Sequence, residues 1–273
     1  MIRNYLIATL IFLFSISMIN KGYSQVTPLP NAHAHNDYEH EHPLYDALAN
    51  GFTSVEADVY LIDDDLYVYH DRPGKPDPDR TLVKMYLEPL KKLMKKNGKR
   101  IYPGYYNHFF LMIDIKDAAE PTYRKIRAIL EGYKELIAVS TGEGTIGDQP
   151  VRVFLSGNRP VKEVVSDPIQ YAGIDGRPDE LKDNIPAILM PVVSDNYRHF
   201  LSWSGKGPVN PAQEEKLEEF IREAHAQGKK VRLWAAPDME PVWEYLLEKG
   251  VDLINTDRLE ELRTFLLRSA NNH

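Results

Sequence analysis

The chain has 273 residues, 43% of them hydrophobic and 27% charged, proportions of a globular protein rather than a disordered, collagen-like or coiled-coil chain. A formal charge of −7 argues against non-specific nucleic-acid binding and against docking on anionic lipid through a basic patch. The absence of cysteine excludes disulfides, thiolate metal sites and a lipidated-cysteine anchor.

Taken in chain order, the first segment reads as an export signal. Arg3 supplies a positive start, Tyr5 to Ile19 form an apolar run broken only by Thr9, Ser15 and Ser17, and Gly22 and Ser24 offer small residues near a cleavage point at Gln25. The run is short for a span, which needs about 20 residues. The expectation is therefore a signal peptide over 1–24, a single domain over 25–273, a periplasmic or secreted location, and no transmembrane segment after cleavage. Cleavage removes Arg3 and Lys21 and no acid, leaving 31 basic against 40 acidic residues, a balance of −9.

Short β-like runs then alternate with amphipathic helical patterns, as successive units of a parallel sheet do. Strands are predicted at 30–35, 54–61, 109–115, 151–156, 169–174, 187–193, 231–236 and 252–255. Helices are predicted near 43–50, 84–97, 119–134, 161–166, 210–227, 239–249 and 258–268. Asn210-Pro211 ahead of Glu214 and Glu215 makes a helix start, and Gly228 a stop. The one dense basic stretch, Lys91-Lys92, Lys95-Lys96 and Lys99-Arg100, falls in a predicted helix and its exit and reads as a solvated face. Eight strands favour an α/β fold closed as a single (β/α)8 barrel of the TIM type, whose functional groups gather at the C-terminal strand ends.

Polar residues recur at that rim. His33 and His35 end the first strand and Glu56 and Asp58 lie along the second. Leu66 to Tyr69 return as a short extra strand ending at His70, if Asp63-Asp64-Asp65 makes the turn. Asp114 and Lys116, Ser156-Gly157-Asn158, Asp175, Ser194-Asp195-Asn196, Trp234 and Asn255-Thr256-Asp257 follow at or after the later strands.

Residues two apart on a strand share a face, with α-carbons about 6.6 Å apart. Glu56 and Asp58 thus project together from an otherwise buried strand, where paired carboxylates need a compensating cation. Hard oxygen ligands suit Mg²⁺ or Ca²⁺, and Asp114 on the next strand completes a set. The plainer alternative is an ion pair with Lys116, which shares a strand face with Asp114. Five of nine histidines, His33, His35, His40, His42 and His70, fall between 33 and 70. His40 and His42 read as surface residues; His33 and His35 share a strand face and His70 returns to the same rim, where two imidazoles flanking a metal-bound phosphate can act as base and acid near neutral pH. Lys116 can stabilise developing charge on phosphate. Asn255-Thr256-Asp257 also makes a good helix cap.

Together these residues resemble the superfamily of glycerophosphodiester phosphodiesterases and phosphatidylinositol-phospholipase-C-like enzymes. The pattern carrying the resemblance is His35, Glu56/Asp58, His70-Asp71, Asp114/Lys116 and Thr256-Asp257, in the same order through nearly the whole chain. Trp234 is similar to an aromatic often found in these sites. The resemblance implies a barrel, phosphodiester hydrolysis, one Mg²⁺ or Ca²⁺ on Glu56, Asp58 and Asp114, and an acid–base pair of His35 and His70. His33, Asn36, Asn158, Asp175, Trp234 and Asp257 are candidate substrate contacts. The first strand reads H-N-D where glycerophosphodiesterases usually have H-R-G, and D-x-K replaces E-x-K, as in the spider sphingomyelinase D branch. The H-x-H-N-D-Y opening looks most like an uncharacterised branch. The substrate thus stays open among a glycerophosphodiester, an inositol phospholipid, a lysophospholipid and a sugar phosphodiester. Two other readings stand beside it. One is a zinc hydrolase of the amidohydrolase or polymerase-and-histidinol type using His33 and His35; the other is a barrel that captures a phosphorylated ligand without turnover.

Overall fold

Near-continuous apolar runs in the strands give each one an outward face for helices and an inward face for the barrel. The structure is a computed structural model that describes residues 26–141 and 144–270. The run from which export was read lies outside the described residues.

The strands are β1 (Leu29–Ala34), β2 (Phe52–Ile62), β3 (Asp65–Val68), β4 (Phe109–Ile115), β5 (Val151–Gly157), β6 (Gly173–Gly176), β7 (Val192–Asn196), β8 (Lys230–Trp234) and β9 (Leu253–Thr256). Their order is β1-β9-β8-β7-β6-β5-β4-β2-β3, and β1 also pairs with β2. Eight parallel strands therefore close into a barrel. β3 turns back antiparallel on β2 through Asp63 and Asp64, both with positive φ, and delivers His70 to the C-terminal rim. The helices are α1 (Tyr45–Ala49), α2 (Glu88–Lys96), α3 (Ala119–Glu131), α4 (Val161–Ser166), α5 (Pro211–Ala226), α6 (Glu240–Lys249) and α7 (Leu259–Ala270). The Asn210 side chain caps α5 by accepting from the Ala212 and Gln213 amides. No helix among the described residues is long and apolar enough to cross a membrane.

Two of the predicted strands are displaced toward the C-terminus. The apolar run at 187–190 forms a turn, with the Leu189 and Met190 amides donating to the Pro186 carbonyl. Pro191 has no amide to donate, so β7 starts after it. β6 likewise spans Gly173–Gly176. Asp175, Asp195 and Asn196 consequently lie within strands rather than in the loops beyond them.

The inward faces are layered. Phe110, Met112, Phe154, Val192 and Leu253 form a separate apolar cluster inside the barrel. Along the same faces two residues further on stand Asp114, Ser156, Ser194 and Asn255. Register aligns Asp58 with Asp114 and Asp114 with Ser156, so an apolar plug supports a polar layer at the C-terminal mouth. Leu111, Ile113 and Ile115 face the other way into the main core beneath the helices.

Candidate active site

The polar layer is built around Glu56, Asp58 and Asp114, each offering a carboxylate oxygen within 4.8 Å of the others. Glu56 and Asp58 are buried. Burial, reinforced by the Glu56 and Asp114 charges, pushes Asp58 up to about 7, and burial also raises Asp114. Burial works against the Glu56 charge too, but His33, Arg232 and His35 together outweigh it and hold Glu56 below the usual carboxylate range. Lys116 bridges Asp58 Oδ2 at 3.0 Å and Asp114 Oδ1 at 3.1 Å, so the ion-pair reading of these residues is part of the structure. One ammonium does not satisfy the cluster: Glu56 Oε2 and Asp58 Oδ1 are buried without a hydrogen-bond partner. Three crowded carboxylates with unpartnered oxygens fit a hard divalent cation. Gly157 makes room for this arrangement. Its φ is +66°, and a β-carbon there would collide with Asp114 Oδ1 and the Ile115 carbonyl.

The two rim histidines are each oriented through Nδ1. His35 Nδ1 lies 2.8 Å from Asp257 Oδ1, which makes it the donor and turns Nε2 inward, 4.0 Å from Glu56 Oε2. Burial lowers the His35 pKa, but the hydrogen bond to Asp257 and the nearby Glu56 charge raise it further, and the net shift is upward. Asp257 is itself fixed, its amide donating to Asp238 Oδ2. Thr256 Oγ1 accepts from the Arg258 amide, so the helix-cap and functional readings of Thr256-Asp257 are served by neighbouring residues. His70 Nδ1 lies 3.1 Å from the Tyr38 hydroxyl, which donates to Asp58 Oδ2 at 2.6 Å. With that proton committed, the Tyr38 oxygen accepts from His70 and leaves His70 Nε2 free. Asn36 Oδ1, on a left-handed residue at φ 47°, is 2.8 Å from the same hydroxyl.

His33 is fully buried, with Nδ1 2.7 Å from Ser54 Oγ and Nε2 3.4 Å from Arg232 Nη1. Burial pulls its pKa down to about 4. A neutral imidazole with one nitrogen on a hydroxyl and the other facing a guanidinium is poorly placed as a zinc ligand, and it does not open on the rim. Asp175 is also buried. It accepts from Ser156 Oγ at 2.8 Å and Ser194 Oγ at 2.5 Å and pairs with Arg177 at 2.9 Å, so its oxygens are occupied inside the barrel. Asn158, Trp234 and Asp257 are exposed at the rim.

Two participants were not singled out from the sequence. Arg232, 3% exposed, reaches Asn255 Oδ1 at 2.7 Å, Ser194 Oγ at 3.1 Å, Asp175 Oδ2 at 3.6 Å and Glu56 Oε2 at 3.8 Å. Its signal was an arginine two residues before Trp234, hence on the same strand face. Tyr38 was visible only as part of the H-x-H-N-D-Y string. Within that string, Asp37 is buried, with Oδ2 accepting from the Leu44 amide at 2.6 Å and the Tyr86 hydroxyl at 2.8 Å.

Comparison with known proteins agrees with this architecture. The family model for the AIM6-like phosphodiesterase domain matches residues 21–172. "Altered inheritance of mitochondria protein 6" from Eremothecium gossypii is 30% identical across 91% of this chain and 72% of its own length. The homolog of that protein from Arthroderma benhamiae is 29% identical across 85% of this chain and 82% of its own. A glycerophosphodiester phosphodiesterase from Parabacteroides distasonis shares the fold, with a TM-score of 0.59 at 18% identity over 89% of this chain and 99% of the other. The expectation of a periplasmic or secreted protein is corrected here, because the matched relatives are fungal proteins named for mitochondrial inheritance rather than exported enzymes. An apolar run after a single arginine fits several destinations, and the signal-peptide pattern does not distinguish them. The chain belongs to the AIM6-like phosphodiesterase family.

Proposed function

We propose that the chain is a divalent-metal-dependent phosphodiester hydrolase acting on a small phosphodiester or a lipid head group. The observation that supports this best is the triad of buried Glu56 and Asp58 with half-buried Asp114, two of its oxygens unpartnered, flanked by two histidines each held through Nδ1. A Mg²⁺ or Ca²⁺ ion on the triad would polarise a phosphoryl oxygen and offset its negative charge.

The chain's own groups supply the proton transfers. His35, anchored on Asp257, presents Nε2 to the pocket and takes a proton from the attacking water or substrate hydroxyl. His70, anchored on Tyr38, presents Nε2 to the leaving oxygen and protonates it; the reverse assignment uses the same two atoms. The Lys116 ammonium, already between Asp58 and Asp114, can turn a donor toward the equatorial oxygens as charge develops. Arg232 keeps Glu56 ionised from below. Asn36, Asn158 and Trp234 stand at the mouth where the remainder of a substrate would lie, and His33 and Asp175 support the layer from inside.

A bell-shaped pH–rate profile is expected for hydrolysis of a glycerophosphodiester, with one limb lost in His35→Ala and the other in His70→Ala. Wild-type rates in either variant would sink the acid–base assignment. Retention of a phosphodiester with no alcohol released over long incubation would favour a binding barrel instead.

A further inference from the structure

We propose that the N-terminal end of the barrel, around the C-terminus of α2, docks on a membrane surface carrying anionic lipid. The stretch read from sequence as an ordinary solvated face carries six cations between Lys91 and Arg100. The structure divides them. Arg100 is paired with Asp148, and Lys91 lies over the Tyr133 ring at 5.0 Å. Lys92, Lys95, Lys96 and Lys99 are exposed, and among the described residues no ion pair engages any of the four. Lys95 and Lys96 suit the negative end of the helix dipole, but Lys92 precedes the last turn and Lys99 follows the helix. Lys99 is held at φ 67°, a region that an asparagine or glycine occupies with less strain. In a chain of net charge −7 this is a local inversion of sign, which the overall balance conceals.

A further feature points to a bilayer. Tyr106 is 73% exposed, with the Arg100 guanidinium 5.1 Å from its ring centroid. An amphipathic ring beside lysines suits the depth of lipid head groups. Long, unpaired lysines without a shaped pocket match a diffuse negative surface better than one defined acidic partner. Docking this way leaves the barrel mouth facing water.

The test is flotation of the full-length chain with vesicles of phosphatidylcholine alone or with about one third phosphatidylserine. Three proteins are compared: wild type, Lys92→Glu/Lys95→Glu/Lys96→Glu, and a control, Lys162→Glu/Lys182→Glu/Lys206→Glu, which reverses exposed lysines elsewhere. Wild type and control should prefer the anionic vesicles, the preference weakening with salt. The patch variant should lose about a hundredfold of it, from about 1 kcal/mol per cation at the surface. Equal binding to both vesicles, an unchanged preference in the patch variant, or an equal loss in the control would overturn the proposal. So would capture by soluble polyglutamate without vesicle binding. Unchanged circular dichroism and melting temperature in both variants separate docking from folding.

Discussion

Asp37 offers the sharpest thermodynamic test of the turn that carries Asn36 and Tyr38. Its carboxyl is buried with two donors on one oxygen and none on the other, and burial raises it from 3.8 to about 7. A raised carboxyl stabilises the folded state fully below the unfolded value, and that contribution is lost as pH rises through the folded value. The interval from 3.8 to about 7, at about 1.36 kcal/mol per pH unit, corresponds to about 4 kcal/mol. That is a large share of a typical unfolding free energy of about 5–15 kcal/mol. Asp37→Asn keeps an acceptor for Leu44 and Tyr86 but removes the ionisation. Urea unfolding of both proteins with a chelator present, from the acid side of the carboxylate range to the alkaline side of neutrality, gives the comparison. The variant should gain about 4 kcal/mol on wild type across that interval. Other titrating carboxylates, Asp58 among them, are common to both proteins and cancel in the difference. Parallel stability curves would refute the reasoning.

Other expectations follow from single contacts. Gly157→Ala places a β-carbon against Asp114 Oδ1 at a positive φ; it should destabilise by more than about 1 kcal/mol and weaken Mg²⁺ binding measured by calorimetry. Tyr38→Phe removes the donor to Asp58 and the partner of His70. The lost hydrogen bond to a buried carboxylate is worth about 1.5–3 kcal/mol, so the melting temperature should fall by several degrees, and kcat should fall below wild type at a temperature where both proteins are folded. Asp257→Asn removes the main influence raising His35, so the His35 midpoint followed by proton NMR in chelator should move to lower pH; an unchanged midpoint would remove Asp257 from its orienting role.

The triad was legible because strand periodicity is simple: Glu56 and Asp58 two apart on one strand, and Asp114 near the end of the next barrel strand, leave few alternatives. His70 was legible because three consecutive aspartates mark the turn that returns it. Arg232 was not, since one arginine among Val231, Leu233 and Trp234 does not say whether its face looks into the barrel or out. Asp175 was taken for a rim residue because the run from Ile169 to Ala172 mimics the start of a strand, whereas the strand spans Gly173–Gly176. The unpaired lysines of α2 were masked by an acidic total, because net charge is a sum and docking depends on its distribution. Tyr38 depended on a local left-handed turn at Asn36, which no periodicity reveals.

The central claim is that Glu56, Asp58 and Asp114 hold a divalent cation needed for phosphodiester cleavage. Its most direct test is the hydrolysis rate of bis(p-nitrophenyl) phosphate in chelator and after addition of Mg²⁺ or Ca²⁺, for wild type and Glu56→Ala. The account predicts no turnover in chelator, recovery with metal in wild type, and none in Glu56→Ala. Turnover that persists in chelator, or that survives Glu56→Ala with its metal dependence intact, would contradict it.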